Sequence, residues 1–268
     1  MTLAAHTIAT AEPPGPLAAA MPDWGAQYRE TGHVTVPGLF TVAQMQAAIA
    51  DAMAWAEAFL QDLDETGRAW YLDGAASRAE TRSLALRKLD NPHFHRPLFR
   101  ALAAHGPLLD HVEALIGPGV SVYFSQIFFK PPRGGGPKPV HQDNFYFGPE
   151  DPDRMVTAWI ALEDADVENG CLFYGDGSHH RGVVPHAAPP DRPFDLQIAA
   201  DHLAGQAMTP APVPAAGVSF HHGGTWHQSA DNRSDRWRRA CALHYVGNGN
   251  RFATPALPYD HSLVVRLT

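Results

Sequence analysis

His141 and Asp143, in "PVHQDNFYFG", are an imidazole and a carboxylate two residues apart in a run that is otherwise apolar and aromatic. Neither group enters an apolar interior without compensation. On an extended strand, residues i and i+2 share a face. The pair then reads as two ligands converging on one metal ion, with Phe145 and Phe147 further along the same side. A plain hydrogen-bonded pair is the alternative, and a lone His-x-Asp does not decide between them. His227, in "TWHQSADN", adds a third ligand type at the end of a later strand-like stretch. Two histidines and one carboxylate on one side of a metal are the ligand set of non-haem Fe(II) oxygenases, with positions left for further ligands, O2 among them. Zinc accepts a similar set, so these three residues leave the metal open.

"RWRRACALHYV" places Arg238 on a strand whose same face continues with Ala240, Ala242 and His244. Two small residues beside an inward guanidinium leave room for a ligand, and a buried guanidinium calls for an anion held by paired hydrogen bonds. A dicarboxylate that chelates a metal at one end would present its far carboxylate there, and Ser229 could add a hydroxyl. Arg236 and Arg239 compete for the role, but Arg239 faces the other way on the strand and Arg236 lies ahead of it.

Two kinds of element must position these groups. Residues 23–30 read as a short helix, 33–40 as a short strand, and "TVAQMQAAIADAMAWAEAFLQDL" as a helix capped by Thr41. That helix carries an apolar stripe at Val42, Met45, Ile49, Met53, Ala56 and Leu60. Residues 64–80 read as a polar loop, and "LFRALAAHGPLLDHVEALIG" as one or two helices with Pro107 opening the second and Gly117 ending it. From Pro118 the texture changes. "GVSVYFSQIFFKPP", "VHQDNFYF", "MVTAWIALEDAD", "NGCLFYGDGSH", "AGVSFHHGGTWH" and "RRACALHYV" read as strands rich in β-branched and aromatic residues. The expected fold is mainly β: a sheet sandwich or barrel, buttressed by helices from the first half.

The chain has 268 residues, 45% hydrophobic, a length that suits one large domain or two small ones. A single domain over 23–268 is expected, helical to about 117 and β from about 118 to 250, behind a flexible Ala/Pro-rich segment at 1–22. The net charge of −8 carries no basic stripe of the kind that follows phosphates, so nucleic acid is not an expected partner. No apolar run approaches a membrane span. The two cysteines, Cys171 and Cys241, form no CxxC pair and read as buried free thiols in a reducing, cytoplasmic setting.

From about Lys88 to Tyr245 the sequence resembles the phytanoyl-CoA dioxygenase family of Fe(II)/2-oxoglutarate oxygenases. The matching pieces are "FFKPP", "VHQDNFYF", "TAWIALEDADVENGCL", "GSHHRG" and "HQSADNRSDRWRRA", in the family's order. The resemblance implies a double-stranded β-helix. It implies iron held by His141, Asp143 and His227, and 2-oxoglutarate held at its tail by Arg238. Positions that line the cosubstrate pocket fall on Lys88, Gln126 and Trp159, with Gln126 where some members have methionine. Related halogenases replace the iron-binding carboxylate with a small residue, so Asp143 favours hydroxylation.

The expected activity is oxidation of a C–H bond in a small metabolite, with 2-oxoglutarate and O2 consumed and succinate and CO2 released. A cupin-like hydrolase or isomerase without 2-oxoglutarate, and a non-catalytic binding member, are the alternatives. Tyr146, Phe147 and Tyr174 are candidate substrate contacts. His179, His180, His221, His222 and His244 read mostly as structural or solvated. The long Pro-rich stretch over 185–215 has the character of a lid.

Overall fold

The computed structural model describes residues 23–72, 86–189 and 195–268. The expected flexible segment at 1–22, residues 73–80 of the 64–80 loop and part of the 185–215 stretch lie outside the described residues.

In the first half, α1 (Trp24–Thr31) leads to β1 (His33–Val36), α2 (Val42–Gln61), α3 (Glu65–Tyr71), β2 (Lys88–Asp90), α4 (Pro92–His95), α5 (Pro97–Ala103) and α6 (Gly106–Ile116). Thr41 caps α2 as expected. Its hydroxyl accepts from the Gln44 amide, and the Gln44 side chain accepts in return from the Thr41 amide. The buried face of α2 is Met45, Ala48, Ala52, Ala56 and Leu60, with Ile49 and Met53 at its edge. Val42, expected on this stripe, is 58% exposed, because the first turn of the helix projects past the core. Residues 65–71 form α3 rather than loop, started by the Asp64 side chain accepting from the Gly67 amide.

The second half supplies β3 (Val120–Lys130), β4 (Lys138–His141), α7 (Asp143–Phe147), β5 (Met155–Ala161), β6 (Leu172–Tyr174), β7 (His186–Ala187), β8 (Gln197–Ile198), β9 (Thr209–Ala211), β10 (Val218–His222), β11 (His227–Ser229), β12 (Arg238–Gly247) and β13 (Val265–Arg266). The larger antiparallel sheet runs β1-β10-β5-β12-β3-β13, with β2 also on β3. The smaller runs β4-β11-β6-β9, and β7 pairs with β8. Strands outside 118–250 therefore extend the sheet. β1 joins one edge, while β2 and β13 join β3.

The two sheets enclose the interior of a double-stranded β-helix. Alternation along β12 separates its faces. Cys241, Leu243 and Tyr245 pack into the cluster shared with the helices. Ala240 and Ala242 pack inward with Trp159, Leu172 and Tyr174. Both faces of the large sheet are thus covered, and polar groups appear on the inner one.

Candidate active site

β4 ends at His141, and α7 begins at Asp143. The two side chains converge through a strand-to-helix turn, and not through the alternation of a continued strand. Phe145 accordingly leaves the site and stacks on His186, ring centroids 3.9 Å apart, while Phe147 stays at the cavity. Gln142 pins the turn. Its side-chain amide donates to the carbonyls of Gly182 and Gly224 and accepts from the Val184 amide. Asn144 fixes the other side, donating its backbone N–H to Gly223 O at 2.8 Å. A Cβ on Gly223 would lie 2.0 Å from Asn144 Oδ1, so any other residue there would have to displace the Asn144 side chain.

His227 opens β11 directly opposite His141, with ring centroids 4.1 Å apart. Asp143 Oδ1 lies 3.9 Å from His141 Nε2 and 3.6 Å from His227 Nε2. One ligand atom from each of the three residues falls within 4.8 Å of the other two, and all three residues are buried. The Nδ1 atoms are oriented by backbone carbonyls: His141 donates to Pro139 O at 2.8 Å and His227 to Thr225 O at 3.0 Å. That fixes the tautomer and leaves both Nε2 lone pairs toward Asp143, the arrangement a metal requires. Burial pushes both imidazoles below their ordinary range, so they are neutral donors at pH 7.

Asp143 Oδ2 is held from behind. Thr157 Oγ1 donates to it at 2.6 Å and His221 Nε2 at 3.1 Å. His244 Nδ1 lies 3.5 Å from the same oxygen and donates to the Thr157 hydroxyl. Tyr174 supports His221 in turn, its hydroxyl 3.0 Å from His221 Nδ1 and 2.9 Å from Ser219 Oγ. Burial alone would raise the Asp143 carboxyl, but the hydrogen bonds it accepts, that from His221 among them, hold it well below the usual carboxylate range. Thr157 was not anticipated. His221 and His244, read as structural or solvated, both lie buried beside Asp143 Oδ2. Tyr174 is fully buried, packed behind His221.

The same cavity reaches Arg238, which is 2% exposed. Arg236 pairs with Asp166, and Arg239 grips Glu163 through two nitrogens, at 2.8 and 2.7 Å. Arg238 has no such carboxylate among the described residues. Its Nε is buried without a hydrogen-bond partner, and its guanidinium lies 5.5 Å from the centroid of the Trp159 ring. Burial pushes its pKa down to about 10, the mark of a charge that lacks its anion. Ser229 Oγ accepts from Lys130 Nζ at 3.0 Å, so its own proton is free to donate. The loop between His227 and Arg238 is held by Asn232, whose amide reaches the carbonyls of Lys130, Pro131 and Arg236.

Lys88, Gln126 and Trp159 also line the cavity. Lys88 Nζ lies 3.3 Å from Asp90 and 4.0 Å from the centre of the Trp70 ring, and Gln126 donates to Asp90 at 2.8 Å. Tyr146 lines it too, donating to Leu196 O at 2.6 Å. Lys130, Lys138 and Asp195 complete this polar wall and had no signal in the sequence.

Residues 28–240 match the family model for phytanoyl-CoA dioxygenase (PhyH). The chain belongs to the phytanoyl-CoA dioxygenase family. It is 34% identical over 180 residues to phytanoyl-CoA dioxygenase domain-containing protein 1 of Mus musculus, covering 62% of each chain. It is 31% identical over 174 residues to a probable alpha-ketoglutarate-dependent hypophosphite dioxygenase of Stutzerimonas stutzeri, covering 62% of this chain and 59% of that one. The matched stretch thus spans less than two thirds of these relatives' own length. Among solved structures, the non-heme alpha ketoglutarate dependent carbocyclase SnoK from nogalamycin biosynthesis superposes with a TM-score of 0.72 at 25% identity, over 92% of this chain and 96% of that one. Among the described residues of this PhyH-family chain, no helix is long and apolar enough to cross a membrane.

Proposed function

We propose that the chain is an Fe(II)/2-oxoglutarate-dependent dioxygenase that hydroxylates a C–H bond of a small metabolite, releasing succinate and CO2. One observation carries this reading: a convergent His-Asp-His set and a buried, unpartnered guanidinium share one cavity. The donor set fits Fe(II), with two neutral Nε2 atoms and one carboxylate oxygen on one side. The orphaned Arg238 fits the far carboxylate of a dicarboxylate.

In this reading His141, Asp143 and His227 hold the iron, and Arg238 with Ser229 holds the cosubstrate tail. Iron and 2-oxoglutarate, when bound, supply the O2 activation and oxidising equivalents for C–H hydroxylation. The chain's own residues do the positioning. Thr157 and His221 keep Asp143 Oδ2 occupied, so that Oδ1 is offered to the metal. The flat face of Trp159 steadies the guanidinium. Phe124, Phe147, Leu257 and Tyr259 wall the cavity with apolar surface and limit water around the reacting carbon. A cytoplasmic setting agrees with two cysteines that are buried and unpaired.

The test is thermal stability under anaerobic Fe(II), followed by a screen of metabolites for substrate-dependent succinate. 2-Oxoglutarate should stabilise the iron-loaded protein, and Asp143→Ala should abolish its turnover. No stabilisation by 2-oxoglutarate would favour a metal-dependent hydrolase or isomerase instead.

A further inference from the structure

The cavity wall carries more positive charge than iron and 2-oxoglutarate account for. Five cationic side chains line it: Arg87, Lys88, Lys130, Lys138 and Arg238. Among the described residues, the carboxylates that face them are Asp143, Asp195 and, beneath Lys88, Asp90. Five cations therefore stand against three anions. His141 and His227 add no charge, because imidazole binds a metal in its neutral form. A divalent metal and a dianionic cosubstrate cancel each other, so the surplus survives loading.

The surplus has a location. Arg238 answers the cosubstrate tail, Lys88 has Asp90 and the Trp70 ring, and Lys130 has Ser229 and the Ala230 carbonyl. The other two cations share one carboxylate. Asp195 Oδ1 lies 3.5 Å from Lys138 Nζ and 3.5 Å from Arg87 Nη1, both longer than the distance of a tight charge-assisted hydrogen bond. Arg87 Nε is buried without a hydrogen-bond partner. Lys138 donates to the Tyr146 hydroxyl at 3.1 Å, and the Tyr146 ring stands edge-on to His141, centroids 5.6 Å apart. The ammonium is thus one aromatic ring away from a metal ligand. Desolvation, with Arg87 and Lys88 nearby, pushes Lys138 down to about 8 against the pull of Asp195, as expected where cations are crowded.

We propose that the primary substrate carries an oxyanion group, a carboxylate or phosphate, held by Lys138 and Arg87 while an adjacent carbon faces the metal position. This deepens the reading of the preceding subsection and rests on it. It makes Lys138 and Arg87 specificity-determining residues for the substrate, separate from the Arg238 end that holds the cosubstrate.

The test uses the full chain loaded with Mn(II) and saturating 2-oxoglutarate, without O2. Inorganic phosphate and acetate are titrated in as oxyanion probes, with ethylammonium as the cationic control, and binding is read by calorimetry. At least one oxyanion should bind saturably and ethylammonium should not. Lys138→Met should weaken that binding about tenfold or more, the loss expected for one charged partner. Lys138→Arg should restore most of it, and neither variant should change 2-oxoglutarate affinity. The proposal is overturned if neither oxyanion binds, or if binding is the same in Lys138→Met, which marks an adventitious ion only. If 2-oxoglutarate itself does not bind the Mn(II) protein, the dioxygenase reading has failed, and this proposal falls with it.

Discussion

Thr157 Oγ1 donates to Asp143 Oδ2 at 2.6 Å, and the same hydroxyl accepts from His244 Nδ1 at 2.8 Å. One threonine on β5 therefore fixes which carboxylate oxygen is turned toward His141 and His227. Thr157→Val keeps the shape and removes both hydrogen bonds. Metal affinity should fall about 10–100-fold, the usual cost of losing a group that orients a ligand. Folding stability should fall by about 1–3 kcal/mol, because His244 Nδ1–H is left buried without an acceptor. Mn(II) titration and urea unfolding of the same variant check the two effects separately. Unchanged metal affinity would remove Thr157 from the support of the site.

Arg238 separates function from stability in the opposite sense. Its charge is buried with no carboxylate among the described residues to answer it, and the fold pushes its pKa down to about 10. A buried charge without a partner opposes folding. Arg238→Met should leave the metal-free protein as stable as the parent or more so. Its 2-oxoglutarate affinity should drop about 100-fold, since a carboxylate in the cavity then lacks its paired donors. Thermal unfolding without ligand and calorimetric titration with 2-oxoglutarate provide the two readouts. Normal affinity in this variant would place the cosubstrate tail elsewhere.

The residues proposed to hold an ion and an anion could be picked out as candidates because their chemistry admits few substitutes. His141, Asp143, His227 and Arg238 are the types the task demands, and alternation along β12 correctly turned Arg238 inward and Arg239 outward to Glu163. The turn at α7 was not legible. "DNFYF" has the aromatic content of a strand, and what makes it helical is remote: the Asn144 amide docks on Gly223 O, and Gly148 caps the turn in the left-handed region. The polar wall was hidden for the same reason. Lys130 and Lys138 sit beside prolines and glycines, where no periodic pattern marks a side chain as inward. Lys130 is buried and Lys138 half-buried because β3 pairs with β12 and β4 with β11, which no local pattern records. His221 and His244 were visible as histidines on strands, but their value lies in sharing Asp143, a contact between distant segments.

His93 links stability to pH away from the active site. Its ring is fully buried between Ser125 Oγ, at 2.6 Å, and Leu263 O, at 2.9 Å. Leu263 O only accepts, so Nε2 carries the proton and Nδ1 accepts from Ser125. Burial pushes the pKa from 6.5 down to about 4. The unfolded chain then binds the proton more readily than the fold does. The stabilisation is complete above pH 6.5 and is lost progressively as pH falls toward 4. At pH 5 this one group should account for about 2 kcal/mol of lost stability. Urea unfolding at pH 7 and pH 5 should show a smaller pH difference in His93→Gln than in the parent. An equal difference would mean that His93 does not carry this linkage.

Asp143→Asn tests whether the centre is shaped for a metal at the expense of the metal-free fold. Without a cation, Asp143 Oδ1 and the Nε2 lone pairs of His141 and His227 are three acceptors facing one another, with Oδ1 3.6 Å from one nitrogen and 3.9 Å from the other. An asparagine can keep its carbonyl oxygen on Thr157 and His221 and turn its NH2 group toward the two histidines, replacing repulsion by donation. The metal-free variant should therefore melt at the same temperature as the parent or higher. Its response to Mn(II) should vanish, because one anionic ligand is gone and an N–H group occupies the metal position. A functional site held in tension gives this pairing of gained stability and lost binding. A variant that lost stability without metal would show that the carboxylate charge supports the fold, and the three residues would then be better read as a structural cluster.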